Sequence, residues 1–173
     1  MNVRRAVKAM LLVAGMAIVS APAQARAEGY INPWAGVIFD DAAKKGLSSF
    51  GAAIGDSGSK MGIDLNFGYT PDFTGNDSGN KVIDLMAGVA AGPQIGRGTN
   101  TIRPTVVGGV GLLRTSSGSV ANNDFGFNVG GGILAYFSEK LGFRVDVRYY
   151  RTLNGGDLGD FDFTRVQFGL LIR

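Results

Sequence analysis

The sequence predicts an all-β fold, an eight-stranded antiparallel transmembrane up-and-down β-barrel. Three observations carry that prediction. First, apolar and polar residues alternate over most of the chain. In GFRVDVRYYR, Phe143, Val145, Val147 and Tyr149 are separated by Arg144, Asp146 and Arg148. Strict period two marks a strand with two different faces. Second, the N-terminus carries the features of a secretory signal. Third, the connections between strands alternate in length, short at one end and longer at the other, as in outer-membrane barrels.

Taken in order, residues 1–25 read as the signal. Arg4, Arg5 and Lys8 form a positive region, and Ala9 to Ala21 is an apolar run too short to cross a bilayer as a helix. Ala23-Gln24-Ala25 is an A-x-A site, so cleavage after Ala25 leaves a mature domain over 26–173. The signal contains three of the 17 Lys and Arg and none of the 14 Asp and Glu, so the mature chain is near neutral. The basic balance belongs to the removed piece and does not argue for nucleic acid as a partner.

No mature stretch reaches the roughly 18 apolar residues of a transmembrane helix. Strand signals recur instead, at 29–39, 47–56, 60–70, 81–94, 101–114, 124–137, 141–152 and 161–172. In the first, Trp34 and Ile38 share a side with Asn32, which leaves its faces ambiguous. Pro33, opposite, belongs near a strand's start or edge. The third alternates Met61, Ile63, Leu65, Phe67 and Tyr69 with Gly62, Asp64, Asn66 and Gly68. The fourth sets Ile83, Leu85 and Val89 against Asp84, Met86 and Gly88, and the fifth carries Arg103. The sixth sets Phe125, Phe127, Val129 and Ile133 against Asn128, Gly130 and Gly132. The last opposes Val166, Phe168, Leu170 and Ile172 to Arg165, Gln167 and Gly169. The connections 56–60, 95–100 and 138–140 are short, whereas 71–80, 115–123 and 153–160 are longer. Eleven residues at about 3.3 Å each, tilted by about 40°, span roughly 28 Å, enough for an apolar band about 25 Å tall.

The chemistry of the polar face decides which side meets lipid. A soluble barrel of lipocalin type, binding an apolar ligand, needs a Lys- and Glu-rich outer surface. Here the polar face is Gly, Asn, Asp and Arg, and lysine is confined to turns, loops and strand ends. Small polar residues suit the narrow interior of eight strands. Asp64, Asp84, Asp146, Arg103, Arg144, Arg148 and Arg165 are therefore expected to face the lumen as a mixed charge network that blocks flow. An arginine facing lipid at the midplane would cost about 2–4 kcal/mol. Bulky Met86, Leu134, Tyr136 and Tyr150 share that interior. Phe39, Tyr69, Phe125, Tyr149 and Phe163 fall near the longer loops, and Phe137 and Phe143 flank a short turn. Together they form two expected aromatic girdles, one at each membrane interface.

FGYTPDF, RPTVVGGVGLLR and DFGFNVGGGILAYFSEKLGFRVDVRYYR resemble the small bacterial outer-membrane β-barrel proteins, a porin-family group that shares its architecture with OmpA-like barrel domains. The resemblance covers essentially the whole mature chain. It implies an outer-membrane location, contact with membrane lipid and lipopolysaccharide, and biogenesis through periplasmic chaperones and the barrel-insertion machinery. It implies a C-terminal insertion strand, here Val166, Phe168, Leu170 and Ile172. Such chains end in an aromatic residue, whereas this one places Ile172 there and adds Arg173.

No other motif rises to a site. GGVGLL and VGGGIL lack the full G-x-G-x-x-G between strand and helix, so interior glycine explains them. Asp157, Asp160 and Asp162, like Asp72, Asp77 and Asn80, lack the spacing of a calcium loop and read as solvated acidic loops. Serines are present but histidine is absent, which removes the histidine-dependent mechanisms of outer-membrane hydrolases and acyltransferases. The expectation is a monomeric, non-enzymatic surface or structural barrel without cofactor or metal. The alternatives are a narrow porin for ions or very small solutes and the soluble lipocalin-like barrel.

Overall fold

The computed structural model describes residues 29–39, 46–56, 60–72, 80–97, 100–117, 120–153 and 161–173. The predicted signal and its cleavage residues Ala23 and Ala25 lie outside them, as do Asp77, Asp157 and Asp160. The strands are β1 (Gly29–Phe39), β2 (Leu47–Asp56), β3 (Met61–Pro71), β4 (Lys81–Ala91), β5 (Ile95–Arg97), β6 (Asn100–Ser117), β7 (Val120–Tyr136), β8 (Leu141–Thr152) and β9 (Asp162–Ile172).

Neighbouring strands pair antiparallel in the order β4-β3-β2-β1-β9-β8-β7-β6, and β4 pairs with β6 to close the ring. The ring is an eight-stranded barrel, and β5 is a short extra ribbon on β6. Closure satisfies the backbone without leaving an edge, the condition for strands to cross a bilayer. No described helix is long and apolar enough to cross a membrane.

Alternation sorts the side chains. Along β8, Arg144, Asp146, Arg148 and Tyr150 are buried in the lumen, while Val147 on the outer wall is 50% exposed. The outer wall is a belt of exposed apolar residues that includes Leu85, Val106, Val129 and Phe168. A soluble barrel would hide these residues, and the lipocalin-like alternative is overturned on that ground.

Two connections differ from expectation. The fourth strand stops at Ala91, before Gly92-Pro93, and part of the expected short turn forms β5, paired Ile95↔Ile102 to Arg97↔Asn100. Gly96 makes this possible with φ of 100°, a region that side chains avoid. The expected loop 115–123 is mostly strand, because the β6–β7 register continues from Arg114↔Asn123 to Ser117↔Val120. The 18 residues of β6, at about 3.3 Å each and tilted by about 40°, rise roughly 45 Å, well beyond an apolar band of about 25 Å. Outside the band no lipid selects apolar residues, so TSSGSV carries no alternation to read.

Candidate functional site in the barrel lumen

The lumen is layered. At the long-loop end Ile38, Leu47, Val82, Met86, Leu113, Tyr150 and Phe163 form one apolar cluster. At the short-turn end Tyr30, Leu134, Tyr136 and Leu171 form another. Between them lie Asp64, Asp84, Asp146, Arg144, Arg148 and Arg165 with Asn32, Asn66 and Gln167.

Six of the seven expected charges meet. Asp64 bridges two arginines, with Oδ2 2.6 Å from Arg144 Nη1 and Oδ1 2.9 Å from Arg148 Nη1. Asp146 touches the same two: Oδ2 accepts from Arg148 Nη2 at 3.1 Å and lies 2.6 Å from Arg144 Nε. The Arg144 contact is ionic without the alignment of a hydrogen bond. Tyr30 adds a phenol that donates to Asp64 at 3.2 Å and accepts from Arg144 at 2.6 Å.

Arg165 and Asp84 form a second unit, both fully buried. The pair is bidentate, Nη1–Oδ2 at 2.6 Å and Nη2–Oδ1 at 3.1 Å, a geometry that strengthens and orients the contact. Arg165 also donates to the Tyr150 hydroxyl. Its guanidinium lies 4.3 Å from the Trp34 ring centre and 4.5 Å from that of Tyr150, within cation–π range. Gln167 links the units, accepting from Arg165 Nε at 3.2 Å and donating to Asp146 at 3.1 Å.

Interior glycines make the room. A Cβ on Gly68 would collide with Asp84 Oδ2 and Arg165 Nη1, and one on Gly132 with Asp146 Oδ1.

Arg103 stands apart from both units, buried nearer the short turns, with Nε donating to the Gly92 carbonyl at 3.1 Å. Sequence reasoning missed a further interior carboxylate, Asp124, which accepts from Asn122 at 3.2 Å. Its even-numbered step from Asn128 was the available signal. Trp34, whose face was ambiguous, is buried inside and donates to Asn66 Oδ1 at 3.2 Å.

On the outer wall, Phe39, Phe137 and Phe143 are exposed and Tyr69, Phe125 and Tyr149 half-buried. Phe163 is a correction to the girdle. It is only 2% exposed and stacks on Tyr150 at 4.7 Å inside the barrel. Two residues from Arg165 on the same strand, it shares the lumen face. Val166, Phe168, Leu170 and Ile172 form the outward stripe of β9.

A closed antiparallel ring with an apolar outer belt and a lumen of paired charges defines a transmembrane β-barrel. Residues 9–173 match the model of the outer membrane protein β-barrel domain, and the chain belongs to that family. No curated protein matches the sequence significantly. Among solved structures, Neisserial surface protein A is similar with a TM-score of 0.64 and 11% identity, over 83% of this chain and 96% of that one. The N-terminal β-barrel domain of Pseudomonas aeruginosa OprF is similar with a TM-score of 0.53 and 16% identity, over 83% and 97%. At these identities the likeness is one of fold.

Proposed function

We propose that the protein is a non-conducting, non-enzymatic barrel of the bacterial outer membrane. It holds its place in lipid as a monomer and presents its longer loops at the surface. The observation that carries this reading is the layered lumen, an ion-paired middle between two apolar clusters. Apolar side chains filling both ends of a lumen oppose ion passage, so this reading places the block in the two apolar clusters together with the charge network expected from the sequence. The partners of this reading are membrane lipid and lipopolysaccharide, with periplasmic chaperones and the insertion machinery during biogenesis, and no nucleic acid. The absence of histidine and cysteine from the sequence supports the non-enzymatic reading.

Conductance in planar bilayers tests the proposal. The protein should give no defined current steps, and Arg148→Ala should stay closed because both apolar clusters survive. Reproducible steps from the wild-type barrel would establish the narrow-porin reading instead.

A further inference from the structure

Every joint of the barrel is a continuous ladder among the described residues except one. Between β1 and β9 the register has Ile31↔Ile172 and resumes only at Trp34↔Gly169. Pro33 occupies the gap and has no N–H to donate. Prolines in sheets belong at edges and strand ends. Pro71 ends β3, and Pro104 lies past the last β4–β6 pair, Ala91↔Val106. Pro33 instead sits within the closed ring, paired with Ala52 on one side and facing β9 on the other. Beside it, the buried Asn32 has an Oδ1 without a hydrogen-bond partner among the described residues.

The outer wall is indented at the same place. A shallow hollow, open to the surroundings over most of its extent, is lined by Pro33, Ala35 and Ala52 and flanked by Phe50, Phe67 and Phe168. The pairing explains the hollow: Ala35 lies between Phe50 and Phe168, and Ala52 between Pro33 and Phe67. Three small side chains are ringed by three large ones.

We propose that this hollow seats one fatty-acyl chain of a membrane lipid against the proline-broken joint. The inference rests on the membrane reading above. Its side chains are apolar and belong to the outward belt between the two girdles, where the surrounding medium is hydrocarbon. An extended chain fills a hollow that neighbouring side chains leave open, and it covers the joint whose ladder is interrupted.

The protein carries its own probe. Trp34 is the only tryptophan. Its indole packs beneath Gly51, whose backbone lines the hollow. The protein is folded into vesicles of phosphatidylcholine brominated at mid-chain and into unbrominated vesicles, and Trp34 emission is compared. Strong quenching is expected in the wild type. It should be lost in Ala52→Phe and in Ala35→Phe, which fill the hollow from two strands, and kept in Val106→Phe, on the exposed wall of β6.

Absence of wild-type quenching overturns the proposal. So does quenching that persists in both filled variants, since ordinary surrounding lipid then accounts for it. Quenching that falls as protein is concentrated in the vesicles, with a dimer in native mass spectrometry, assigns the hollow to a second copy and also overturns it. Heat-dependent gel migration is read on the same samples. Its absence would overturn the membrane reading itself, whereas its presence without quenching overturns only the acyl site.

Discussion

Substituting Arg165 by alanine should be the costliest single change in the lumen. Asp84 is fully buried, and Arg165 is its only recorded ion-pair partner among the described residues. The variant therefore strands a carboxylate in a buried interior, which costs about 3–5 kcal/mol. That approaches the whole stability of a small domain, roughly 5–15 kcal/mol. Arg148→Ala should cost less, about 1–3 kcal/mol. Asp64 and Asp146 both keep Arg144, and Asp146 keeps Gln167. Urea unfolding in detergent micelles, followed by circular dichroism, measures both. Trp34 emission gives a second signal, with a shifted folded baseline in Arg165→Ala because the guanidinium stacks on that ring. The double variant Asp84→Leu with Arg165→Met should recover most of the loss, since apolar replacement of a whole buried pair is often neutral. An Arg165→Ala cost below about 1 kcal/mol, the level of exposed pairs, would refute the reasoning. So would a double variant as unstable as the two single changes added together.

Other expectations follow from the same geometry. Val147→Arg puts a cation on the lipid wall and should cost about 2–4 kcal/mol, impairing folding into vesicles by the gel-migration assay, while its neighbour Arg148→Ala folds. Normal folding of Val147→Arg together with lipid-phase labelling at position 148 would invert the two faces. Gly68→Ala should force Asp84 and Arg165 apart and lower stability by about 1–3 kcal/mol, the scale of overpacking, whereas Gly108→Ala, with no atom within 4 Å of the added carbon, should be tolerated. Mass spectrometry of the membrane form should find Arg26 first. A start at Glu28 would move the site to Ala25-Arg26-Ala27, and an intact Met1 would refute cleavage.

The fold was legible wherever a bilayer imposes alternation. Arg144, Asp146 and Arg148 could be placed inside because three cycles of period two leave one consistent assignment. Phe163 was legible too, because its parity with Arg165 puts it in the lumen, although its place near a loop points to the girdle. The overhang of β6 and β7 could not be read, since Thr115, Ser116 and Ser117 stand where neither lipid nor lumen selects their character. Which aspartate meets which arginine depends on the stagger around the ring. Asp64 reaches Arg148 across 84 positions of sequence, and nothing local encodes that distance. Pro33 signalled an edge, and the ring answers by leaving that joint incomplete.

The joint between first and last strands is also the most non-local one in the ring. The other joints lie between strands much closer in the chain, but β1 meets β9 only when residues 125 to 141 positions apart come together, at an entropic cost on the order of 4 kcal/mol. Such non-local pairing is slow, and here it returns fewer backbone bonds than its neighbours. The compensation comes from across the ring. Asp64 and Asp84 enter on the N-terminal half, and Arg144, Arg148 and Arg165 on the C-terminal half. An uncurled sheet keeps these partners apart, so their attraction is collected at the moment of closure. The charges act as a latch, which makes the half-rolled sheet unfavourable and closure cooperative.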